Sequence, residues 1–346
     1  MSESIDQKLE IEWRVCSSDE FSVNADEWDA LNACTADLPI LDAAFYRESL
    51  AQFGDGSERL VMGRVDGELV AAGILTRERQ GIWSTYQPSQ APLGAWLIRP
   101  DFDMAHTCGS LQRALPGFCV LLGISQQDPR LSCRPDDLGR LRTLDYIDTA
   151  SIPVNGSFAD YWAARGRNLR QNLKRQRNRL DREGRRARLE IIVDADAIGA
   201  AVDDYGDLEF CGWKAEKGTA VHRDNAQGRF YRNVLEHLAA KGEATIYRYW
   251  YNGELAASDL CVHRNGVFII LKTAHNEKFG KTSPTHLMRQ EYLESLFRDG
   301  SVRRIEFYGK LMNWHTKWSD DVRRMYHVNL FRWAVLPWFA RLRGGS

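Results

Sequence analysis

The sequence lacks several features that mark particular classes of protein. It has no run of about 18 apolar residues, the length that a helix needs to span a bilayer, and its start, MSESIDQKLEIEW, lacks the basic and apolar regions of a signal peptide. Its seven cysteines are scattered without a CxxC pair, which disfavours disulfides and metal sites. Basic residues (46) balance acidic ones (47), so no chain-wide field attracts a polyanion. We therefore expect a cytoplasmic protein without a bound metal.

What is present is a near-duplication within the 346 residues. The stretches FYRESLAQFGDGSERLVMGRVDGELVAAGILT (45–76) and FYRNVLEHLAAKGEATIYRYWYNGELAASDLCV (230–262) share their order of motifs. Each opens with Phe-Tyr-Arg on a helix-like segment and continues into two β-type runs joined at Asp66-Gly67 or Asn252-Gly253. These dipeptides are strong hairpin signals, because a tight primed turn needs positive φ at both central residues. The pattern predicts two copies of one fold.

The residues after each hairpin extend the same order of elements. The first copy has β-like runs at 81–87 and 93–98, a helical pattern near 104–115 and a strand at 118–124, and the second has a strand at 267–274, a helix at 284–298 and a strand at 302–308. The order helix, strand, strand, strand, helix, strand predicts an α+β fold with mixed, mostly antiparallel sheets flanked by helices. The predicted domains are 1–150, a connecting helix and strand at 151–190, and 191–346.

The connecting segment RNLRQNLKRQRNRLDREGRRARLE (167–190) holds ten arginines and lysines. It predicts a helix that Gly184 ends and that packs by a narrow seam, formed by Trp162, Leu169, Leu173 and Leu180. Three interpretations stay open: a solvated helix that joins domains, a surface that binds phosphates or an anionic substrate, or a reader of nucleic acid. The chain has no zinc-finger, RNP or zipper pattern, which counts against the third.

Several motifs together resemble one family. They are the basic helix, Trp213-Lys214, Asn252-Gly253-Glu254, the run from His275 to Pro284 and the ending from Glu306 to Trp318. Their order is similar to that in the acetyltransferase domain of the CelD type, found in cellulose and exopolysaccharide biosynthesis proteins. That family belongs to the GNAT superfamily and is related to the Fem aminoacyl transferases. The resemblance implies tandem GNAT-like (acyl-CoA N-acyltransferase) domains, of which only the second binds the cofactor.

The resemblance also implies where acyl-CoA binds. GNAT folds hold the CoA pyrophosphate at the loop between a strand and a helix, which here runs from Lys278 to Pro284, with proline at the expected first helical position. The free N–H groups and the positive end of such a helix suit a pyrophosphate. Acetyl-CoA is the expected co-substrate, and the predicted cofactor-binding residues are Lys278, Lys281, Ser283 and Thr285. An ordinary strand-to-helix loop is the competing interpretation.

Acyl transfer to an amine needs a base for the ammonium proton and an acid for the departing thiolate. The predicted catalytic residues are Glu306, Tyr308, His315, Lys317 and His275. The first two are two positions apart on a predicted strand, so we expect them to face the same side. The next two alternate in a segment bounded by tryptophans that would wall a pocket, and the last ends its strand. Ordinary core packing is the competing interpretation for the tryptophan-rich segment.

Substrate binding is assigned to two groups of residues. The resemblance places Glu209, Trp213 and Lys214 on the acceptor side of the family's cleft. From the basic helix, Arg170 and Arg177 are expected to line a wall of that cleft and to hold an anionic substrate or donor.

The leading functional hypothesis is an acyl-CoA-dependent N-acyltransferase, with O-acyl transfer as a variant. Its acceptor would be a sugar, amino-sugar or amino-acid-like small molecule in polysaccharide or cell-envelope biosynthesis. One alternative is a Fem-like transferase that takes an aminoacyl group from tRNA, which would give the basic helix an RNA role. Another is a non-enzymatic nucleic-acid-binding or scaffold protein. The ending FRWAVLPWFARLR (331–343) is interpreted as a final strand with a packed tail or as a peripheral membrane contact.

Overall fold

The chain, represented by a computed structural model, is described at residues 10–210 and 221–335. Its contacts separate it into two compact units: unit 2 is Asp148–Arg323, while unit 1 ends at Ile147 and resumes at Arg324. This division differs from the predicted bounds, because the basic helix lies in unit 2 and the last strand returns to unit 1. Unit 1 is therefore assembled from two separate stretches of the chain.

Helices and strands alternate through both units. The helices are α1 (Ala25–Cys34), α2 (Ala43–Phe53), α3 (Met104–Ala114), α4 (Phe158–Ala164), α5 (Arg167–Arg182), α6 (Ala195–Phe210), α7 (Ala226–Ala239), α8 (Pro284–Asp299) and α9 (His315–Trp318). The strands are β1 (Glu12–Ser17), β2 (Arg59–Val65), β3 (Glu68–Arg79), β4 (Ile82–Thr85), β5 (Trp96–Ile98), β6 (Leu121–Gln127), β7 (Leu141–Pro153), β8 (Ala187–Ile192), β9 (Ala244–Tyr251), β10 (Glu254–Arg264), β11 (Val267–His275), β12 (Arg304–Glu306) and β13 (Asp321–Phe331). Within the described ranges, no helix is both long and apolar enough to cross a membrane.

Each unit builds the same sheet. Unit 1 has the strand order β1-β2-β3-β4-β6-β13, with β5 also paired to β3, and unit 2 has the order β8-β9-β10-β11-β12-β7. The fourth and fifth strands are parallel in both, and their other neighbours are antiparallel. The predicted α+β class with mixed, mostly antiparallel sheets is confirmed. The outer strands β1 and β8, and the helices α1 and α6 that follow them, extend the repeat beyond the predicted copies.

The repeated sequence motifs occupy equivalent places. Phe45 and Tyr46 on α2 are fully buried and their rings cross at 76°, and Phe230 and Tyr231 on α7 are buried and cross at the same angle. Both hairpin turns have positive φ at both central residues: 51° and 84° at Asp66-Gly67, and 49° and 85° at Asn252-Gly253. The residues that repeat in the sequence therefore occupy equivalent core and turn positions in the two units.

The basic segment forms α5, which Gly184 follows with φ of 63°. Leu169, Leu173 and Leu180 are buried along one side, as the narrow seam predicts. Trp162, however, lies on the separate short helix α4, because the chain turns at Arg165 and Gly166 before α5 begins. The seam therefore belongs to two helices rather than to one.

Candidate active site

The start of α8 is built by a local sequence signal. Strand β11 ends at His275, and the side chain of Asn276 accepts a hydrogen bond from the Lys278 N–H at 3.0 Å. A 3-10 helix follows at Glu277–Thr282, and Ser283 then adopts φ of 54° before Pro284 opens α8 at the predicted position. The Ser283 side chain makes no cap hydrogen bond to the first turn of α8.

An open cavity of about 740 Å³ lies beside the start of α8, within unit 2. Its walls come from the junction of α4 and α5, the start of α8 and helix α9, and the lining residues are Ala164, Arg165, Gly166, Asn168, Leu169, Asn172, Ser283, His286, Thr316, Lys317 and Asp320. The predicted residues Ser283 and Lys317 thus meet in one cavity. The volume suits a small-molecule site.

His286 is the residue of this cavity that the sequence analysis missed. The indole N–H of Trp318 donates to His286 Nδ1 at 2.9 Å, and the two rings stack. Burial, followed by the positive charges of Arg289 and Lys317, lowers the pKa of His286 to about 3. Because an indole nitrogen is only a donor, Nδ1 carries no proton and the neutral ring holds its proton on Nε2. The available signal was the position of His286, in the first turn of a helix that proline opens.

Lys317 and Arg165 give the cavity positive charge. Lys317 is exposed on α9, and Arg165 is mostly buried, with its guanidinium 3.2 Å from the exposed carboxylate of Asp320. Arg165 also donates to the carbonyl oxygen of Trp318 at 3.1 Å, which ties it to the end of α9. Two cations against one carboxylate suit an anionic group on a substrate.

Glu306 and Tyr308 do not share a strand face as predicted. Strand β12 ends at Glu306, and Tyr308 has φ of 48°, so the alternation that would align the two side chains is broken. The Glu306 carboxylate is fully buried between Arg304 and Arg323 and accepts from Arg323 at 2.8 Å. The guanidinium of Arg323 also lies over the Tyr308 ring, 5.3 Å from its centroid. These contacts tie both side chains into a structural network.

The two other predicted catalytic residues, both histidines, lie in different surroundings. His315 is buried, stacks on Trp314 at 3.6 Å and accepts from the Met312 N–H at 2.8 Å. Burial, with the charge of Arg289, lowers the pKa of His315 to about 4. His275 is exposed at the end of β11, and its protonated form would add to the positive charges that lower the pKa of His286.

The two arginines predicted to line one cleft wall do not line the cavity beside α8. Arg170 is exposed and donates to the Arg165 carbonyl oxygen at 3.0 Å. Arg177 pairs with Glu291 at 2.8 Å and donates to Gln290 at 3.1 Å, so α5 is fastened to α8. A second cavity, of about 750 Å³, contains Arg177 and lies near the other end of α5. Arg170 and Arg177 therefore do not meet at the cavity beside α8, and their place on a wall of the acceptor cleft stays a prediction.

The remaining predicted site residues divide into three cases. Glu209 is buried and accepts from the Val221 N–H at 2.7 Å, which makes it a structural anchor. Trp213 and Lys214 lie outside the described residues. Near the start of α8, Lys278 pairs with Glu254 at 2.6 Å, Lys281 is exposed, and Thr285 is half-buried in the first turn.

Residues 167–316 match the family model described as an acetyltransferase (GNAT) domain. No curated protein sequence matches the chain. The match includes α5, the start of α8 and part of α9, so it covers most of the walls of the cavity.

Solved structures resemble the chain over nearly its whole length. They include the C-terminal domain of a putative lysylphosphatidylglycerol synthetase from Agrobacterium fabrum (12% identity, TM-score 0.57, 89% of this chain and 92% of that one). FemX (11%, 0.55, 92% and 98%) and L-PGS from Bacillus licheniformis (14%, 0.52, 92% and 95%) are also similar. The predicted tandem GNAT-like fold is confirmed, and the match of residues 167–316 to an acetyltransferase (GNAT) domain supports the prediction of an acyltransferase. The non-enzymatic interpretation is thereby set aside.

Proposed function

We propose that unit 2 is an acyl-CoA-dependent N-acyltransferase whose reaction takes place in the cavity beside α8. The observation that carries this proposal is the neutral His286, oriented by Trp318 at the uncapped start of α8. A fixed N–H donor in a partly enclosed site stabilises the oxyanion of a tetrahedral intermediate.

In the proposed reaction, the lone pair of the acceptor amine attacks the thioester carbonyl carbon. The carbonyl oxygen becomes an oxyanion that accepts from His286 Nε2–H, the C–N bond forms, and the C–S bond then breaks to release the thiolate of CoA. The ammonium proton passes to His275, exposed at the end of β11. An imidazole suits that role because an unprotonated ring nitrogen accepts a proton.

The donor is assigned to the start of α8. The pyrophosphate would meet Lys281, Ser283 and the first-turn backbone around Thr285, where the helix dipole favours an anion. Lys278 would contribute less, because Glu254 already neutralises it. Lys317 and Arg165 are assigned to an anionic group of the acceptor. The acyl-CoA donor implies a cytoplasmic setting, with an acetyl group as the expected cargo.

For the acceptor, we propose the class that the CelD-type resemblance implies: an amino-sugar, sugar or amino-acid-like small molecule of polysaccharide or cell-envelope biosynthesis. An open cavity with two cations fits such an acceptor if it also carries a carboxylate or phosphate. O-acyl transfer would use the same oxyanion donor with a hydroxyl as the nucleophile.

The test is to incubate the protein with acetyl-CoA and a panel of amino-sugars and amino acids, with and without an acidic group. We expect release of the CoA thiol together with an acetylated amine identified by mass spectrometry. His286→Ala, which removes the N–H donor, should abolish most of the transfer while leaving the protein folded. Transfer that survives in this variant would contradict the assignment of the oxyanion donor.

A second candidate function rests on the outer face of α5. Five cations on this helix are not paired with a carboxylate of the described chain: Arg167, Arg170, Lys174, Arg175 and Arg182. An exposed row of cations favours a polyanion, as a Fem-like transferase that uses aminoacyl-tRNA would require. Charged tRNA supplied as donor, in place of acetyl-CoA, separates the two functions. Aminoacyl transfer that Lys174→Glu with Arg175→Glu abolishes would replace the acyl-CoA proposal.

A further inference from the structure

A charged network is buried under the cavity of unit 2. Arg289 on α8 and Asp259 on β10 are 1% and 0% exposed, and the guanidinium donates to the carboxylate at 2.9 Å. Tyr292 donates to the same carboxylate oxygen at 2.7 Å and accepts from Arg289 Nε at 3.1 Å, and Thr273 accepts from the guanidinium at 3.1 Å. A buried ion pair pays a large desolvation penalty, so it is weak evidence of a contribution to stability.

Unit 1 folds without this network. The position equivalent to Asp259 in unit 1 is Gly73. Asp259 pairs with Tyr247 in the β9–β10 hairpin, and Gly73 pairs with Val61 in the β2–β3 hairpin. Each hairpin has one bulge between its turn and this pair. A Cβ on Gly73 would lie 2.7 Å from the ring of Trp96, so an apolar ring occupies this space in unit 1. The buried residues of α3 are all uncharged. Because the same topology forms around apolar packing, the ion pair of unit 2 is not a requirement of the fold.

The network touches the segment that walls the cavity. The guanidinium of Arg289 lies 4.8 Å from the centroid of the Trp314 ring. Trp314 stacks on His315, and α9 begins there and leads to Lys317 and Trp318. One turn earlier on α8, His286 accepts from Trp318. Helix α8 thus holds the segment Trp314–Trp318 at both ends.

We propose that Arg289, anchored by Asp259, is a positioning residue that fixes the segment Trp314–Trp318 and so sets the orientation of His286 and Lys317 in the cavity. A cation against an indole face is a directional contact, and the anchoring carboxylate leaves the guanidinium no freedom to move away. The inference deepens the proposed function, since it assigns how the oxyanion donor is held.

The surrounding charges agree with this arrangement. The charged groups that act on His286 are Arg289 on α8, Lys317 on α9 and His275 at the end of β11. Arg165 and Asp320 line the same cavity and oppose each other. Among the cations, Arg289 depresses the pKa of His286 most, after the effect of burial itself.

The experiment compares three variants with the unmodified protein. Arg289→Met combined with Asp259→Asn removes both charges, so no buried charge is left without a partner, and Arg289→Lys keeps the charge but loses the planar contact. The control is Arg264→Met with Glu243→Gln, which removes another bidentate ion pair of unit 2, at the far end of β10. The measurements are nitrogen NMR of the His286 ring and of the Trp318 indole against pH, with kcat and KM for acyl transfer.

We expect the double variant to lose the Trp318 to His286 hydrogen bond and to titrate His286 at higher pH. Its kcat should fall roughly 10-fold or more, with little change in KM for the donor. Arg289→Lys should show a partial effect, and the control should show none. Unchanged His286 and Trp318 signals in the folded double variant would overturn the proposal. If the double variant does not fold, the test uses the NMR signals of His286 and Trp318 in Arg289→Lys. Unchanged signals in that variant would also contradict the proposal. The NMR outcome does not depend on whether acyl-CoA is the donor, so it separates this inference from the proposed function.

Discussion

Units 1 and 2 have the same topology, but they differ at the end of the fourth strand of each sheet, which is β4 in unit 1 and β11 in unit 2. In unit 2, β11 runs without a break to His275. In unit 1, β4 stops at Thr85, and residues 86–95 intervene before β5 resumes the pairing with β3. This inserted segment lies against β6: a Cβ on Gly94 would be 2.3 Å from the Ser125 carbonyl oxygen. The insertion therefore packs closely on β6, leaving no room for a side chain at Gly94.

The two units also differ in what remains open. The void beside the insertion in unit 1 measures about 30 Å³, room for about one water, and a cavity of about 540 Å³ in the same unit lies elsewhere, beside α1 and the β2–β3 turn. Unit 2 has a cavity of about 740 Å³ beside α8. The Asp103 carboxylate caps α3 by accepting from the His106 N–H at 2.7 Å, while Ser283 leaves the start of α8 uncapped. A carboxylate at a helix N-terminus occupies the place that an anionic ligand would take. The two units thus share one scaffold, and the proposed chemistry is assigned to unit 2.

The largest expected effect is a loss of kcat when His286 is replaced, with the histidine at the equivalent helix position of unit 1 as the control. His106 is the third residue of α3, and His286 is the third residue of α8. We expect His286→Ala to lower kcat roughly 100- to 1,000-fold through loss of the oxyanion donor, and His106→Ala to leave it unchanged. Steady-state kinetics of both variants check this. A comparable loss in His106→Ala would mean that both units contribute to the reaction.

A smaller effect is expected at the start of α8. Lys281→Glu should weaken CoA binding by about 1 to 2 kcal/mol, because a cation near the pyrophosphate becomes an anion. Lys241→Glu, an exposed site after α7, is the matched control and should change nothing. Isothermal titration with CoA measures both, and equal affinities for the two variants would remove the donor from this helix terminus.

The hairpin turns provide a test in which the units should agree. Gly67 and Gly253 have φ of 84° and 85°, and a Cβ on either would meet nothing within 4 Å. Alanine at each site should therefore cost only backbone strain, about 1 to 2 kcal/mol of unfolding free energy. Urea denaturation of Gly67→Ala and Gly253→Ala measures it. Losses that differ several-fold would show that the two hairpins are not equivalent.

A separate prediction concerns the pH dependence of stability. His286 and His315 have folded pKa values of about 3 and 4, below the unfolded value near 6.5. The unfolded chain therefore binds protons first as the pH falls, so stability is fully present above pH 6.5 and declines toward pH 4. His286→Phe should flatten this decline. Unfolding free energies measured between pH 7 and 4.5 supply the comparison, and an unaltered slope in His286→Phe would contradict the buried neutral state.

Local sequence signals predicted much of the fold. The paired Asp-Gly and Asn-Gly turns, the repeated Phe-Tyr-Arg and the proline at the start of α8 each depend on neighbouring residues, and each is placed as predicted. Which unit receives β7 and β13 depends on long-range strand pairing, which short patterns do not encode.

The site was harder to predict for the same reason. Glu306 and Tyr308 follow the two-residue period of a strand, but the strand ends between them. The orientation of His286 depends on a hydrogen bond from Trp318, 32 positions away in the sequence. The charge of Arg177 is neutralised by an ion pair with Glu291 on another helix. Charge and periodicity therefore indicated segments that line the candidate site. The contacts of each side chain depend on tertiary packing, so they could not be predicted from the sequence.

The central claim is that the acyl donor binds unit 2 and not unit 1. The most direct measurement is a crystal structure of the protein with a non-reactive acyl-CoA analogue. We expect the pyrophosphate at the start of α8 and the acyl carbonyl oxygen within hydrogen-bonding distance of His286 Nε2. An analogue bound at α3 of unit 1, or one that leaves the cavity beside α8 empty, would contradict it.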